Sequence, residues 1–291
     1  MLIADTVAVI GIGLIGGSYG LALKARGLAR CVIGVARRET TRHIARSVGA
    51  ADETTDDARE AVREADLVIL CTPVGSIADM AQHIAPTLQR DCVVTDAGST
   101  KVGIVRDCEA ILGRRFVGGH PMAGSHETGP QWARADLFVG ATYVLTPTPQ
   151  TDPAALETVR TLAEKLGARP LLLDALTHDE LVAFTSHLPH VVAFALANAV
   201  AAKQKENPHA AQLAASGFRD MTRLAASDPQ LWTDICLANR DAVLTAIAEF
   251  ERQLRALKSA LVDEDATGFT AALRAAVEGR ASMLEHGSLG K

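Results

Sequence analysis

The chain has 291 residues, a length that favours two domains over one. A composition of 48% hydrophobic and 22% charged residues excludes a disordered chain, and the 23 glycines follow no collagen-like period. Lys and Arg total 29 against 34 Asp and Glu, a formal charge of −5, so no basic nucleic-acid surface is expected. Rings at 4% also leave little to stack on bases. Five cysteines (Cys31, Cys71, Cys92, Cys108 and Cys236) show no C-x-x-C spacing. Neither a zinc site nor a disulfide framework is expected, and a reducing cytoplasm is the expected setting. The opening MLIADTVAVIGIGLIGG lacks the basic flank of a signal peptide and runs into a glycine pattern. No uninterrupted apolar stretch reaches membrane-spanning length, so no membrane partner is expected.

In chain order, residues 7–10, 31–35, 67–71 and 92–95 read as buried strands of a parallel sheet. Helical patterns at 16–26, 39–48, 58–64 and 77–88 lie between them. This alternation predicts a doubly wound, Rossmann-type α/β domain. Strands at 116–118 and 142–145, a helix near 153–166 and a last strand at 170–173 continue it. After Asp174 only helical patterns remain, which predicts a dinucleotide-binding domain over 1–175 and a helical substrate and dimerisation domain over 176–291. Apolar steps of three and four through Val243, Leu244, Ile247, Phe250, Leu254, Leu257 and Leu261 predict one long amphipathic helix. Its apolar stripe reads first as a core face and otherwise as a dimer face. Residues 203–208 read as a loop.

Gly11-Ile12-Gly13-Leu14-Ile15-Gly16 follows the first strand and opens a helix, the context that gives G-x-G-x-x-G its meaning. Gly11 permits the turn, Gly13 lets backbone approach a pyrophosphate, and Gly16 allows close helix–strand packing. The phosphates would rest on helix N-terminal N–H groups around Leu14 and Ile15. An acid is expected about 20 residues on, to hold the adenosine ribose of NAD. Ala36 stands near that place instead, followed by Arg37 and Arg38. Guanidinium groups bind a 2′-phosphate, so NADP is expected over NAD, the alternative being two solvated arginines. Thr72 and Pro73, at the carboxyl end of the third strand, are placed on the adenine-ribose side by fold position alone. No metal site is expected.

Three further clusters carry chemistry: Asp96-Ala97-Gly98-Ser99-Thr100-Lys101, Gly119-His120-Pro121-Met122-Ala123-Gly124-Ser125-His126, and Ser186-His187-Leu188-Pro189-His190. Pro189 removes a hydrogen bond to the Thr185 carbonyl and should kink its helix. His187 and His190, three apart, then share a face at that kink.

Together with GLIGGS and GFRDMTR, these motifs resemble the prephenate/arogenate dehydrogenase family of tyrosine biosynthesis, in the family's order and over nearly the whole chain. The resemblance implies oxidative decarboxylation, with hydride passing to nicotinamide as the ring becomes aromatic. It implies a homodimer built through the helical domain. His120 matches the histidine that takes the proton of the C4 hydroxyl, a task suited to imidazole. Ser99 matches the serine that orients hydroxyl and histidine; on sequence alone it would be an N-cap. Arg223 matches the arginine that receives a substrate carboxylate, with Asp220 three residues before it as a candidate support. His190 and Ser125 match substrate contacts, His126 falls where some members have Glu, and His187 is supporting or structural. His190 offers a donor near the substrate side chain and, if protonated, would repel the ammonium of arogenate, so prephenate is the expected substrate. A β-hydroxyacid or 6-phosphogluconate-type dehydrogenase would need a catalytic lysine, for which Lys101 is the available residue. A non-catalytic dinucleotide sensor need not keep His120, Ser99 and Arg223 together.

Overall fold

The computed structural model describes residues 2–125 and 127–286. The first half alternates β1 (Ala4–Ile10), α1 (Leu14–Ala25), β2 (Ala29–Val35), α2 (Glu39–Ser47), β3 (Glu53–Thr55) and α3 (Ala58–Val62). It continues through β4 (Leu67–Leu70), α4 (Ile77–Ile84), β5 (Val93–Asp96), α5 (Val102–Leu112), β6 (Phe116–Pro121), β7 (Thr142–Thr146), α6 (Pro153–Lys165) and β8 (Arg169–Leu172). The sheet order is β3-β2-β1-β4-β5-β6-β7-β8, parallel except where β7 runs against β6. Strand periodicity sorts the core into two faces. Val7, Val9, Leu67 and Ile69 pack with Tyr19 and Leu23 of α1, while Ala8, Ile10, Val68 and Leu70 pack with α4 and α5. Strand order reverses between β1 and β4, which opens a crevice at their carboxyl ends.

The sequence expectation missed β3. Its three residues are polar and pair with β2 alone, so no apolar run marks an edge strand of this kind.

The helical half begins at α7 (Ala175–Val182), capped by the Asp174 carboxylate on the Thr177 N–H at 2.9 Å. One π-helical turn, Ala183–His187, joins it to α8 (Leu188–Glu206), just before the proline that cannot donate a helix hydrogen bond. Then come α9 (His209–Leu213), α10 (Ser216–Thr222) and α11 (Pro229–Ala238). The helix runs through Glu206, which corrects the loop expected over 203–208. Ala175–Glu206 is long and apolar enough, by length and composition alone, to meet the test for a membrane span. It nonetheless carries buried His178, Asp179 and His187, all hydrogen-bonded within this unit.

By contacts, the compact unit that holds the sheet extends through α7–α11 to Asn239. The change from strands to helices near residue 175 is therefore not where the contacts thin. A second unit holds α12 (Arg240–Val262) and α13 (Ala266–His286). The stripe expected as a core face of α12 is largely exposed: Leu244, Phe250, Leu254 and Leu261 all face outward, and Val243 and Ala246 are buried.

Candidate active site

The turn between β1 and α1 is built as its glycines require. Gly11 has φ +97°, and a Cβ there would meet the Cys71 carbonyl oxygen at 2.6 Å. A Cβ at Gly16 would meet the Gly11 oxygen at 2.3 Å, so α1 could not sit so close to the turn. At Gly13 a Cβ would meet nothing within 4 Å, which leaves open space for a ligand. Val35 O, ending β2, accepts from the N–H groups of Gly11 (3.0 Å) and Ile12 (3.1 Å), which sets the segment from Ala36 beside this turn. Thr72 adds a hydroxyl oxygen that is buried without a hydrogen-bond partner. These residues fit a dinucleotide: glycine backbone for phosphates and an unsatisfied hydroxyl for a polar edge.

A cavity of about 620 Å³ joins this turn to the catalytic candidates. Gly11, Gly13, Leu14, Ile15, Gly16, Thr72, Pro73, Ser99, His120, Ser125, His190 and Arg223 all line it. Arg37 and Arg38 do not; they stand exposed at the end of β2 with no side-chain partner among the described residues. His126 lies outside the described residues.

His120 sits near the end of β6, buried, with Nδ1 2.8 Å from His178 Nε2. His178 Nδ1 lies 2.7 Å from Asp179 Oδ1. The Asp179 carboxylate also accepts the N–H groups of Lys101 (2.7 Å) and Val102 (2.8 Å) at the start of α5. A carboxylate only accepts, so His178 carries its proton on Nδ1 and presents a bare Nε2. His120 must then donate from Nδ1, and its own Nε2 is left as an acceptor. Burial pushes the His120 imidazolium well below its usual range, and His178 and Lys101 act in the same direction. His120 is therefore a neutral base at physiological pH.

Ser99 lines the cavity but is not a helix cap; Asp179, 78 residues beyond Lys101, caps α5 in its place. Lys101 is fully buried and held by Asp96 and the Gly119 carbonyl, so it is not a free lysine facing substrate.

Trp232, on α11, meets both histidines of the proline-bearing helix: His190 stacks on it and His187 meets it edge-on. His187 itself is buried, takes a hydrogen bond from Asn239 at Nδ1, and is pushed down to about 4 by burial; its place is structural. His190 donates from Nδ1 to the Ser186 carbonyl at 2.9 Å, so its Nε2 is an acceptor, not the donor expected from sequence. Burial lowers its pKa, the Ser186 carbonyl offsets part of this, and Arg223 lowers it further. Arg223 makes no ion pair among the described residues; Asp220 pairs with Arg219 at 3.8 Å, which corrects the support expected from the spacing. An exposed guanidinium left unpaired at a cavity wall is available to an anion. The Ser125 hydroxyl accepts the Glu127 N–H at 3.1 Å.

Residues 19–172 match the nucleotide-binding domain of prephenate dehydrogenase, and residues 174–275 match its dimerization domain. The chain is 38% identical to a cyclohexadienyl dehydrogenase of Zymomonas mobilis over 91% of each protein. It is 36% identical to a prephenate dehydrogenase of Bacillus subtilis over 90% of this chain and 71% of that one. The structure of prephenate dehydrogenase from A. aeolicus with hydroxyphenyl propionate and NAD+ superposes with a TM-score of 0.90 at 33% identity, covering 96% of this chain and 98% of that one. With the glycine turn, the buried histidine and the unpaired arginine on one cavity, the two domain matches and these relatives make one assignment: the chain is a dehydrogenase that belongs to the prephenate dehydrogenase family.

Proposed function

We propose that the chain oxidises prephenate to 4-hydroxyphenylpyruvate with loss of carbon dioxide, a step of tyrosine biosynthesis. The observation that carries this is His120, a neutral base with a bare Nε2, sharing one cavity with the glycine turn and Arg223. The bound dinucleotide supplies the hydride acceptor. His120 Nε2 takes the proton of the C4 hydroxyl, Ser99 orients that hydroxyl, and Arg223 receives a carboxylate. Ser125 adds a polar contact at the exposed rim. Initial rates for prephenate and arogenate with NAD and NADP test the reading. No reduced cofactor from either substrate would sink it.

The proposed cofactor is NADP, with NAD as the alternative. Arg42 supports this: its guanidinium donates to the Ala36 and Arg37 carbonyls at 2.8 and 3.1 Å and pairs with Glu39 and Asp56. The loop is thereby braced by Arg42 while Arg37 and Arg38 stay unpaired beside the glycine turn. Because both are exposed, the expected advantage of NADP in kcat/KM is only about tenfold and shrinks with salt. Replacing both with Ala should erase it and leave NAD kinetics nearly unchanged. If NAD is preferred by the wild type, or the double variant still prefers NADP, the two arginines are solvated bystanders.

Arogenate is a second reading with its own observation. His190 offers an accepting Nε2 at neutral pH, so an ammonium meets a lone pair and not a like charge. Arogenate is expected to turn over within about tenfold of prephenate at pH 7.5, and to fall behind as acid protonates His190. A ratio beyond a hundredfold at pH 7.5, in rates measured side by side, would place the discrimination elsewhere.

The assembly proposed is a cytoplasmic homodimer formed through the helical half, without nucleic-acid or membrane partners. The exposed apolar stripe of α12 supports it, as does the dimerization-domain match.

A further inference from the structure

We propose that His178 and Asp179 are positioning residues for His120, fixing its reactive tautomer and receiving the charge that substrate oxidation places on it. The inference rests on the reading of His120 as the base.

The chain of contacts has one direction. Asp179 is held as a carboxylate by two backbone N–H groups and the His178 Nδ1–H. Three donors leave it no need of a proton of its own. His178 Nε2 can then only accept from His120 Nδ1. When the C4 hydroxyl proton arrives at His120 Nε2, the Nδ1 proton can pass along the 2.8 Å hydrogen bond to His178 Nε2. One proton enters, one proton shifts by one site, and no electron pair leaves the chain of three residues. His120 returns to neutral, protonated on Nε2, and His178 becomes an imidazolium against the Asp179 carboxylate.

The destination is better suited to a cation than the origin. Around His120 the other titratable groups are the Lys101 ammonium and His187, which both oppose a second positive charge. Lys101 donates to the Gly119 carbonyl, one residue before His120, and Asp96 is already committed to Lys101 and to the N–H groups of Gly98 and Gly119. No carboxylate touches His120 itself among the described residues. His178, fully buried, does have one at 2.7 Å. In this low-dielectric setting a charge is tolerated where it is paired. The arrangement follows the general logic by which a carboxylate holds an imidazole in its working tautomer and steadies the imidazolium.

His178→Phe keeps an aromatic ring in place and leaves the two backbone N–H groups of α5 on Asp179, while removing both the acceptor for His120 and the Nδ1–H given to Asp179. Its kcat is expected to fall about ten- to thirtyfold, with KM within about threefold and the melting temperature little changed. The acid limb of its kcat profile should move to lower pH by about one unit: repulsion from His178 acts only when both rings are charged, whereas a neutral His178 accepts from His120 Nδ1 and its loss makes the first proton harder to hold. His178→Gln can accept from His120 Nδ1 but cannot carry a proton; it should recover part of kcat and keep the shifted limb. A His178→Phe enzyme with near wild-type kcat and an unmoved limb would overturn the proposal and leave Asp179 as a helix cap. Nitrogen-15 NMR of the histidines reads the same arrangement without substrate. The expected wild-type pattern is a protonated Nδ1 and a bare Nε2 on both His120 and His178, and the opposite tautomer at either overturns the proposal. A wild type that shows this pattern but oxidises neither substrate would count against the functional reading alone.

Discussion

His120→Asn is expected to lower kcat by roughly 10²–10⁴ while binding of the dinucleotide changes little. Asn retains hydrogen-bonding capacity at the end of β6 but has no lone pair basic enough to take the hydroxyl proton. Cofactor affinity should survive because the glycine turn is built by β1, α1 and the end of β2, none of which depends on the imidazole. The wild-type profile adds a second expectation. The His120 imidazolium is held well below its ordinary range, chiefly by burial, so the base stays available as pH falls through 6.5. Fluorescence titration with the cofactor and steady-state rates between pH 5 and 9 check both points. A variant within a few-fold of wild type would remove His120 from the chemistry.

Arg223→Ala should act on substrate and not on the dinucleotide. Losing a charge-assisted contact to a carboxylate costs a few kcal/mol where the pair is desolvated. The guanidinium of the free chain is exposed, so the lower part of that range applies and kcat/KM should drop roughly thirty- to hundredfold, mostly through KM. Folding should be untouched, since Arg223 holds no partner whose loss would leave a buried group unsatisfied. Asp220→Ala makes the internal control: its carboxylate pairs with Arg219 and should matter little. If KM for prephenate is unchanged in the Arg223 variant, the carboxylate sits elsewhere in the cavity.

Much of the site was legible because its signals are local. A glycine turn has to be written in consecutive residues, and the fold requires Gly11 and Gly16 where the motif places them, while Gly13 leaves open space. The proline expected to kink a helix stands instead in the first turn of α8, directly after a π-helical turn. Long-range hydrogen bonds leave no such trace. Nothing in the sequence around His178 and Asp179 marks them, because their partners lie 58 and 78 residues away in β6 and at the start of α5. The same distance hid the cap of α5 and made Ser99 resemble one. Tautomers are equally invisible: the proton on His190 is placed by a backbone carbonyl one helical turn back, and that reverses the polarity the residue type suggested. Spacing misled at Asp220, where an i,i+3 offset implied a contact that the helix surface gives to a neighbour instead.

The Asp179 cap also bears on how such enzymes can be recombined. The two domain matches meet between residues 172 and 174, which makes the end of β8 an inviting seam for joining the halves of two relatives. A chimera cut there would take His178 and Asp179 from one parent and His120 and the α5 amides from the other. The glycine turn and the end of β2 would stay together, and still, on the proposal above, the tautomer of the base would be decided by the donor of the helical half. The opening turn of α7 thus travels functionally with the sheet, and a seam placed after it, not before, is the one that preserves the chemistry.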